Sequence, residues 1–300
     1  MFTCQVHVIG ASGRLGSALM LALGVRAIPV VRDAAKWATI DPTVPALVAD
    51  LNDPPALVHA LGGATAVVSC AHARHTKRIL DAAPPDARLF FLGSTRKFTR
   101  WPDDHGNGVL AGEAAFLASG RSGVMLHPTM IYGARGEDNV QRLASLLRKS
   151  RIMPLPVGGR ALVQPVHQSD VTRAILAALA HNWAGPHSII VAGPGPLPYW
   201  AFVRAVAAAA GLTPPKIMAI PVSPLIAAAA VARFLPGVPR VEPAEVRRLL
   251  EDKAFDIAPM RDILGVSPMP MSEGLALTFG ELQRQQTKPG ALNAYYQPNR

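Results

Sequence analysis

The strongest constraint on this chain lies near its start. Residues 6–16 read Val-His-Val-Ile-Gly-Ala-Ser-Gly-Arg-Leu-Gly, and the helix-forming run Ser17-Ala18-Leu19-Met20-Leu21-Ala22-Leu23 follows. A short β-branched run, a turn carrying Gly10, Gly13 and Gly16, and then a helix leave few folds open. Gly10 permits a tight turn, Gly13 lets the backbone come close to a phosphate group, and Gly16 lets the helix pack on the strand. The start of such a helix presents free N–H groups and the positive end of its dipole, so the loop is suited to an anion. With this spacing the expected anion is the pyrophosphate of a dinucleotide; a structural glycine turn is the alternative.

The pattern beyond the loop supports the first reading. Strands are expected at 5–9, 27–31, 46–49, 66–70, 88–92 and 123–127, with helices at 14–23, 54–61, 75–83 and 109–119. Apolar strands alternating with helices imply an α/β fold, a doubly wound parallel sheet with helices on both faces. Asp53 ahead of Pro54 and Pro55 marks one helix start, the carboxylate as cap and proline in the first turn. After Pro128 the alternation loosens. Helices are expected at 139–148, 170–180, 198–210, 223–234, 243–250 and 272–283, joined by connectors such as Pro154-Leu155-Pro156-Val157-Gly158-Gly159. In an open sheet of this kind, ligands bind at the C-terminal edges of the strands.

Composition narrows the classes further. Half of the 300 residues are hydrophobic and aromatics are sparse, which predicts a sizeable core of Ala, Leu and Val. Cys4 and Cys70 sit in apolar runs and read as buried reduced thiols of a cytoplasmic protein, with pairing as the alternative. No metal-ligand spacing and no signal-peptide pattern is visible. The apolar stretch 217–235 is broken by Pro221, Pro224 and Arg233, which leaves it too short to span a bilayer. A peripheral membrane or protein contact through it stays open, as does a homo-oligomer. The net charge of +10 is scattered, without the aromatic interleaving of a single-strand nucleic-acid groove. A small, phosphorylated substrate is the expected partner and nucleic acid is not.

Later segments extend the pattern of the glycine loop in a fixed order. Leu92-Gly93-Ser94-Thr95 closes a strand; His127-Pro128-Thr129-Met130-Ile131-Tyr132-Gly133, Pro165-Val166-His167-Gln168-Ser169-Asp170-Val171 and Leu264-Gly265-Val266-Ser267-Pro268 follow. Together, from residue 5 to about residue 283, they resemble the extended or atypical short-chain dehydrogenase/reductase superfamily, in its NAD-dependent epimerase/dehydratase branch. The resemblance implies an NAD(P)-binding Rossmann core over 1–127, a smaller, mostly helical substrate lobe over 128–286 interleaved with the last sheet strands, and a tail over 287–300. It implies an oxidoreductase or epimerase acting on a small oxygenated substrate, a nucleotide sugar among the options. It makes Gly10, Ser12, Gly13, Arg14, Leu15 and Gly16 cofactor-binding. Asp50 and Leu51 fall at the adenine, Ser69, Cys70 and Ala71 beside ribose and phosphates, and Pro128, Thr129 and Met130 near the nicotinamide.

Cofactor choice turns on Val30-Val31-Arg32-Asp33. An acidic residue at this strand end bonds the ribose 2′-OH of NAD, whereas an arginine accommodates the 2′-phosphate of NADP. Arg32 comes first, Arg14 and Lys36 add charge, and Asp33 suits capping the following turn. NADP(H) is therefore expected over NAD(H). A merely solvated Arg32 is the alternative.

Active members of the superfamily carry a Tyr-x-x-x-Lys pair. Here Tyr132, Tyr199, Tyr295 and Tyr296 are followed four residues on by Gly136, Val203, Asn299 and Arg300, so the pair is missing. Matching Ala111-Gly112-Glu113 to the family's helix puts His105 at the tyrosine position and Val109 at the lysine position. His105, with Ser94 and Thr95 as strand-end hydroxyls, is the candidate substitute. Plainer readings stand beside these. Residues 101–105 read as a polar loop in water, Ser94 and Thr95 as a strand end, and Lys97 as solvated. His72 and His75 read as helix-start or surface groups, Glu113 as a stabiliser of an early helical turn, and Asp170 as an N-cap. The competing function is a non-catalytic NADP(H)-binding regulator, or a cofactor-stabilised subunit of an assembly.

Overall fold

The computed structural model describes residues 5–133, 139–223 and 247–286. Its strands are β1 (Val6–Ile9), β2 (Ala27–Val31), β3 (Leu47–Val48), β4 (Ala66–Ser69), β5 (Arg88–Leu92), β6 (Gly123–Pro128), β7 (Ile131–Tyr132), β8 (Ile152–Pro156), β9 (Leu162–Val163), β10 (Val166–His167), β11 (Pro186–Val191), β12 (Leu197–Pro198) and β13 (Lys216–Ile220). The helices are α1 (Arg14–Leu23), α2 (Ala34–Ala38), α3 (Pro54–Leu61), α4 (Thr76–Ala82), α5 (Asp104–Ala118), α6 (Asn139–Lys149), α7 (Gln168–Ala180) and α8 (Tyr199–Ala209), followed by Ala258–Asp262 and Met271–Gln286.

Strands that are apolar on both faces must be covered on both faces. Seven of them form the central sheet, in the order β11-β6-β5-β4-β1-β2-β3, with every neighbouring pair parallel. Alternate side chains divide between two layers. Val6, Val8, Val68, Phe90 and Leu126 pack with Leu19 and Leu23 of α1 and Val171 and Ile175 of α7. Ile9, Val67, Leu89, Phe91 and Met125 pack with Leu57 and Leu61 of α3, Ile79 of α4 and Phe116 of α5. Each such fully buried side chain contributes about 2 kcal/mol. A third core, around Tyr132, Leu143, Phe202, Val206 and Leu275, holds α6, α8 and the last helix together. Among the described residues, no helix is long and apolar enough to cross a membrane.

The six expected strands and the first helices appear within a few residues of the predicted bounds. Seven strands, β7 to β13, and two short helices, α2 and Ala258–Asp262, escape the sequence reading. β8 contains Pro154 and Pro156, which lack an N–H, yet it pairs on one side with β13 and so needs fewer donors. β11 opens on Pro186, His187 and Ser188 and closes the sheet beside β6, where an edge tolerates polar side chains. α2 is only five residues long. The apolar stretch 217–235 is divided: its start is the end of β13, and positions 224–235 lie outside the described residues. All but the first residue of the expected helix 223–234 and the first half of 243–250 fall there too, as does Cys4.

α5 starts five residues before its predicted bound, at Asp104 rather than 109. Gly106, Gly108 and Gly112 lower its intrinsic propensity, but Asp103 caps it by accepting the Gly106 N–H at 2.8 Å. Packing explains the glycines. A Cβ at Gly112 would stand 2.0 Å from the Ala73 carbonyl oxygen, and one at Gly108 would stand 2.9 Å from Cε1 of His72. Gly112→Ala should therefore lower stability by more than about 2 kcal/mol in urea denaturation, although alanine is the better helix former by roughly 1 kcal/mol. Equal or greater stability would show that the Ala73 turn does not press on this helix.

Candidate functional site

The glycine loop has the backbone that its sequence requires. Gly10 adopts φ +76°, a region L side chains avoid, and its N–H donates to Val30 O at 3.0 Å. The Gly13 N–H donates back to Gly10 O at 2.9 Å. A Cβ at Gly16 would stand 2.1 Å from that same carbonyl oxygen, so α1 begins flush against the turn. No side chain caps the start of α1; Ser12 is half-buried, and Gly13 and Arg14 are exposed. Steric room, N–H groups and helix dipole thus converge where a pyrophosphate would sit.

Next to this loop, at the C-terminal ends of β4, β5 and β6, lies a cavity of about 270 Å³. Leu15, Cys70, Ala71 and Pro128, expected at the cofactor, share its wall with His105 and with His72, Gly93 and Val109. Burial pushes the Cys70 thiol up to about 12, which makes it inert. Other candidates stand outside the wall. Ser69 is buried in β4, and Thr129 spends its hydroxyl on Gln164 O at 2.5 Å. Met130 packs on the lobe core and Leu51 on the sheet, while Asp50 accepts the Asn52 N–H at 2.7 Å. Arg32 is exposed after β2. Ser94 accepts the Arg96 N–H at 3.1 Å, and the Thr95 hydroxyl lies 3.4 Å from Pro128 O, so neither lines the cavity. Tyr132 is buried with its ring edge-to-face on His167, and burial, then Asp170, pushes its phenol up.

His105 does not lie in an exposed loop. It occupies the first turn of α5, half-buried, with Asp103 as the cap. Its Nδ1 lies 3.1 Å from Nε2 of His72, and the two rings meet edge-to-face. His72 caps the turn Ala73–His75 by accepting the Arg74 N–H at 3.0 Å. Burial, then the charges of His105, Arg74 and His75, hold His72 down at about 4; burial and Arg96 lower His105 as well. The pair is neutral near neutral pH. His72 has no local sequence signal for this role, because the pairing depends on the tertiary contact at Gly108.

A buried polar cluster lies behind Gly93. Lys97 Nζ contacts both carboxylate oxygens of Glu113 at 2.5 and 2.6 Å. Nε2 of the fully buried His127 lies 3.0 Å from Glu113, and Ser188 donates to it at 2.5 Å. Lys97 is therefore not solvated, nor is it free to replace the missing lysine, and Glu113 serves tertiary packing rather than an early turn. Asp170 also departs from its expected capping role, which His167 takes; it accepts from Arg173 and from the Met269 N–H at 3.0 Å. Nearby, Glu251 accepts from Thr99 Oγ1 at 2.9 Å and the Arg100 N–H at 2.6 Å, tying the turn after β5 to the C-terminal segment.

Burial pushes Glu113 up, but hydrogen bonds from His127, Lys97 and Ser188 outweigh it and hold the carboxyl at about 2, below its usual 4.5. A depressed carboxyl stabilises the fold fully above pH 4.5 and loses that contribution as pH falls towards 2. Glu113→Gln should cost about 3 kcal/mol near neutral pH, and the gap to the parent should shrink through that acid range. A pH-independent gap in denaturation midpoints would contradict the assignment.

Residues 10–99 match the NAD(P)H-binding family, a span that takes in the glycine loop, Arg32, His72 and the turn at Ser94. No curated protein sequence matches the chain. Among solved structures, gox2253 is similar, with a TM-score of 0.74, 18% identity, and 94% of this chain and 98% of that one covered. UDP-glucuronic acid 4-epimerase from Bacillus cereus, in complex with UDP-glucuronic acid and NAD, gives 0.70 at 15% identity over 94% of this chain and 99% of that one. NADPH-dependent quinone oxidoreductase from Escherichia coli, complexed with NADPH, gives 0.69 at 16% over 91% and 99%. Residues 10–99 of the chain thus match the NAD(P)H-binding family and lie within a Rossmann-like α/β fold.

Proposed function

We propose that this protein is an NAD(P)-dependent oxidoreductase or epimerase acting on a small oxygenated substrate. The observation that carries this reading is that the cradle at the start of α1 and His105 belong to one cavity region at the sheet's C-terminal edge. The cradle fits a dinucleotide sterically, since side chains are missing where the backbone must be approached. The turn Gly10–Gly16, including Ser12 and Arg14, would hold the pyrophosphate. Asp50 and Leu51 would flank the adenine; Ser69, Cys70 and Ala71 the ribose and phosphates; Pro128, Thr129 and Met130 the nicotinamide. The bound cofactor supplies hydride chemistry. The chain supplies position: His105 meets the substrate oxygen, and the Ser94–Thr95 turn braces the wall beside it.

The substrate class draws on what the similar structures hold, a UDP-sugar in one, and on the one that is a quinone oxidoreductase. NADP(H) is the preferred cofactor in this reading. Asp33 is spent as the cap of α2, accepting the Lys36 N–H at 2.9 Å, which leaves the exposed Arg32 to meet a 2′-phosphate. A non-catalytic NADP(H)-binding regulator is the second reading, and the capture of Lys97 by Glu113 favours it.

Arg32→Ala should weaken NADPH binding about tenfold in calorimetry while changing NADH binding less than about threefold. Tighter binding of NADH than NADPH by the parent would reverse the preference. In a panel of nucleotide sugars, quinones and simple carbonyls, the parent should turn over at least one compound. His105→Ala should then lose about a hundredfold in kcat while keeping cofactor affinity. Cofactor binding with no turnover across the panel would favour the regulator.

A further inference from the structure

We infer that His72 is a positioning residue that fixes His105 as a neutral imidazole carrying its proton on Nε2, so that the cavity wall offers a hydrogen-bond donor that keeps its proton. The inference deepens, and rests on, the reading in which His105 meets the substrate oxygen. It follows from counting donors around two rings. Nδ1 of His72 receives two N–H groups of Arg74, the backbone N–H at 3.0 Å and the side-chain Nε–H at 3.2 Å. That nitrogen must hold its lone pair outward, so the proton of the neutral ring is on Nε2. Nε2 of His72 faces Nδ1 of His105 at 3.1 Å, so its proton is directed at that nitrogen. His105 Nδ1 is then the acceptor, and the His105 proton is on Nε2.

The surroundings hold this arrangement in place. Gly108 leaves room for the His72 ring, whose Cε1 would lie 2.9 Å from a Cβ at that position. His105 sits in the first turn of α5, where the positive end of the helix dipole disfavours an imidazolium. The charged and titratable groups facing the pair are Arg74 and His75 from the turn after β4, and Arg96 and Asp103 from the segment before α5. Of these, Asp103 alone favours a charged His105, and it is already paired with Arg96 and, at 3.2 Å, with Arg248. A neutral donor of fixed direction stabilises negative charge developing on an oxygen without exchanging a proton. His105 therefore takes the polarising half of the absent tyrosine's work and not the proton transfer.

Long-range proton–nitrogen spectra of the full chain, labelled at histidine nitrogen and free of cofactor, test this directly. His105, assigned by His105→Phe, should show the Nε2–H imidazole pattern, unchanged across the neutral range. In His72→Ala the Nδ1–H form should appear beside it, and His105 should become protonated at a higher pH. His72→Gln, whose amide nitrogen replaces the lost donor, should restore the parent pattern. A parent His105 with its proton on Nδ1, an imidazolium at neutral pH, or a His72→Ala spectrum and titration identical to the parent would overturn the inference. The parent spectrum alone decides the protonation state should the alanine variant not fold. Because no substrate or cofactor enters the measurement, failure here leaves the oxidoreductase reading standing on its turnover assay, and failure of that assay leaves the protonation state as measured.

Discussion

The carbonyl oxygen of Ala73 comes so close to α5 that the helix has no space for even a methyl group at Gly112. That contact fixes how the turn after β4 lies on the helix after β5, and both segments contribute to the cavity wall. One turn back along α5, the gap at Gly108 receives the His72 ring, and one turn further back stands His105. Glycines that weaken an isolated helix thus become the condition for bringing two imidazoles together. The cost in helix propensity is offset by the cap at Asp103 and by Val109 and Phe116, which are buried in the core on the same helix.

The site separates its electrostatic roles by depth. At the cavity surface the groups are neutral: an inert thiol at Cys70 and two uncharged histidines. Behind Gly93 the charges of Lys97 and Glu113 cancel in a nearly dry setting, where the desolvation of each is tolerable only because the other is present and hydrogen-bonded. At the start of α5, Arg96, Asp103 and Arg248 form a partly exposed network that contributes orientation more than energy.

How much of this could be read from residues alone depended on distance along the chain. β1, the glycine turn and α1 were legible because steric demand and helix periodicity act within about ten residues. Asp53 and Asp33 were legible as caps for the same local reason. β8 was not, because its prolines argue against a strand unless the pairing partner, some sixty residues on, is known. Lys97 and Glu113 are separated by 16 positions and Ser188 by a further 75, so a charge that reads as solvated finds its partners only through the packing of α5 on β6 and β11. His72 and His105, 33 positions apart, were each noticed singly, and nothing local joins them.

The ion pair behind Gly93 also bears on how easily a tyrosine–lysine pair could be placed on α5. Positions 105, 109 and 113 follow one another at single-turn spacing along one face of α5. Installing tyrosine and lysine at the first two would set the new ammonium one turn from Glu113, whose carboxylate already holds Lys97. The two cations would compete for one carboxylate, and a lysine drawn towards it would point away from the cavity. Introducing such a pair therefore requires Lys97 and Glu113 to change together, so the histidine arrangement is protected by an interaction that never touches the cavity.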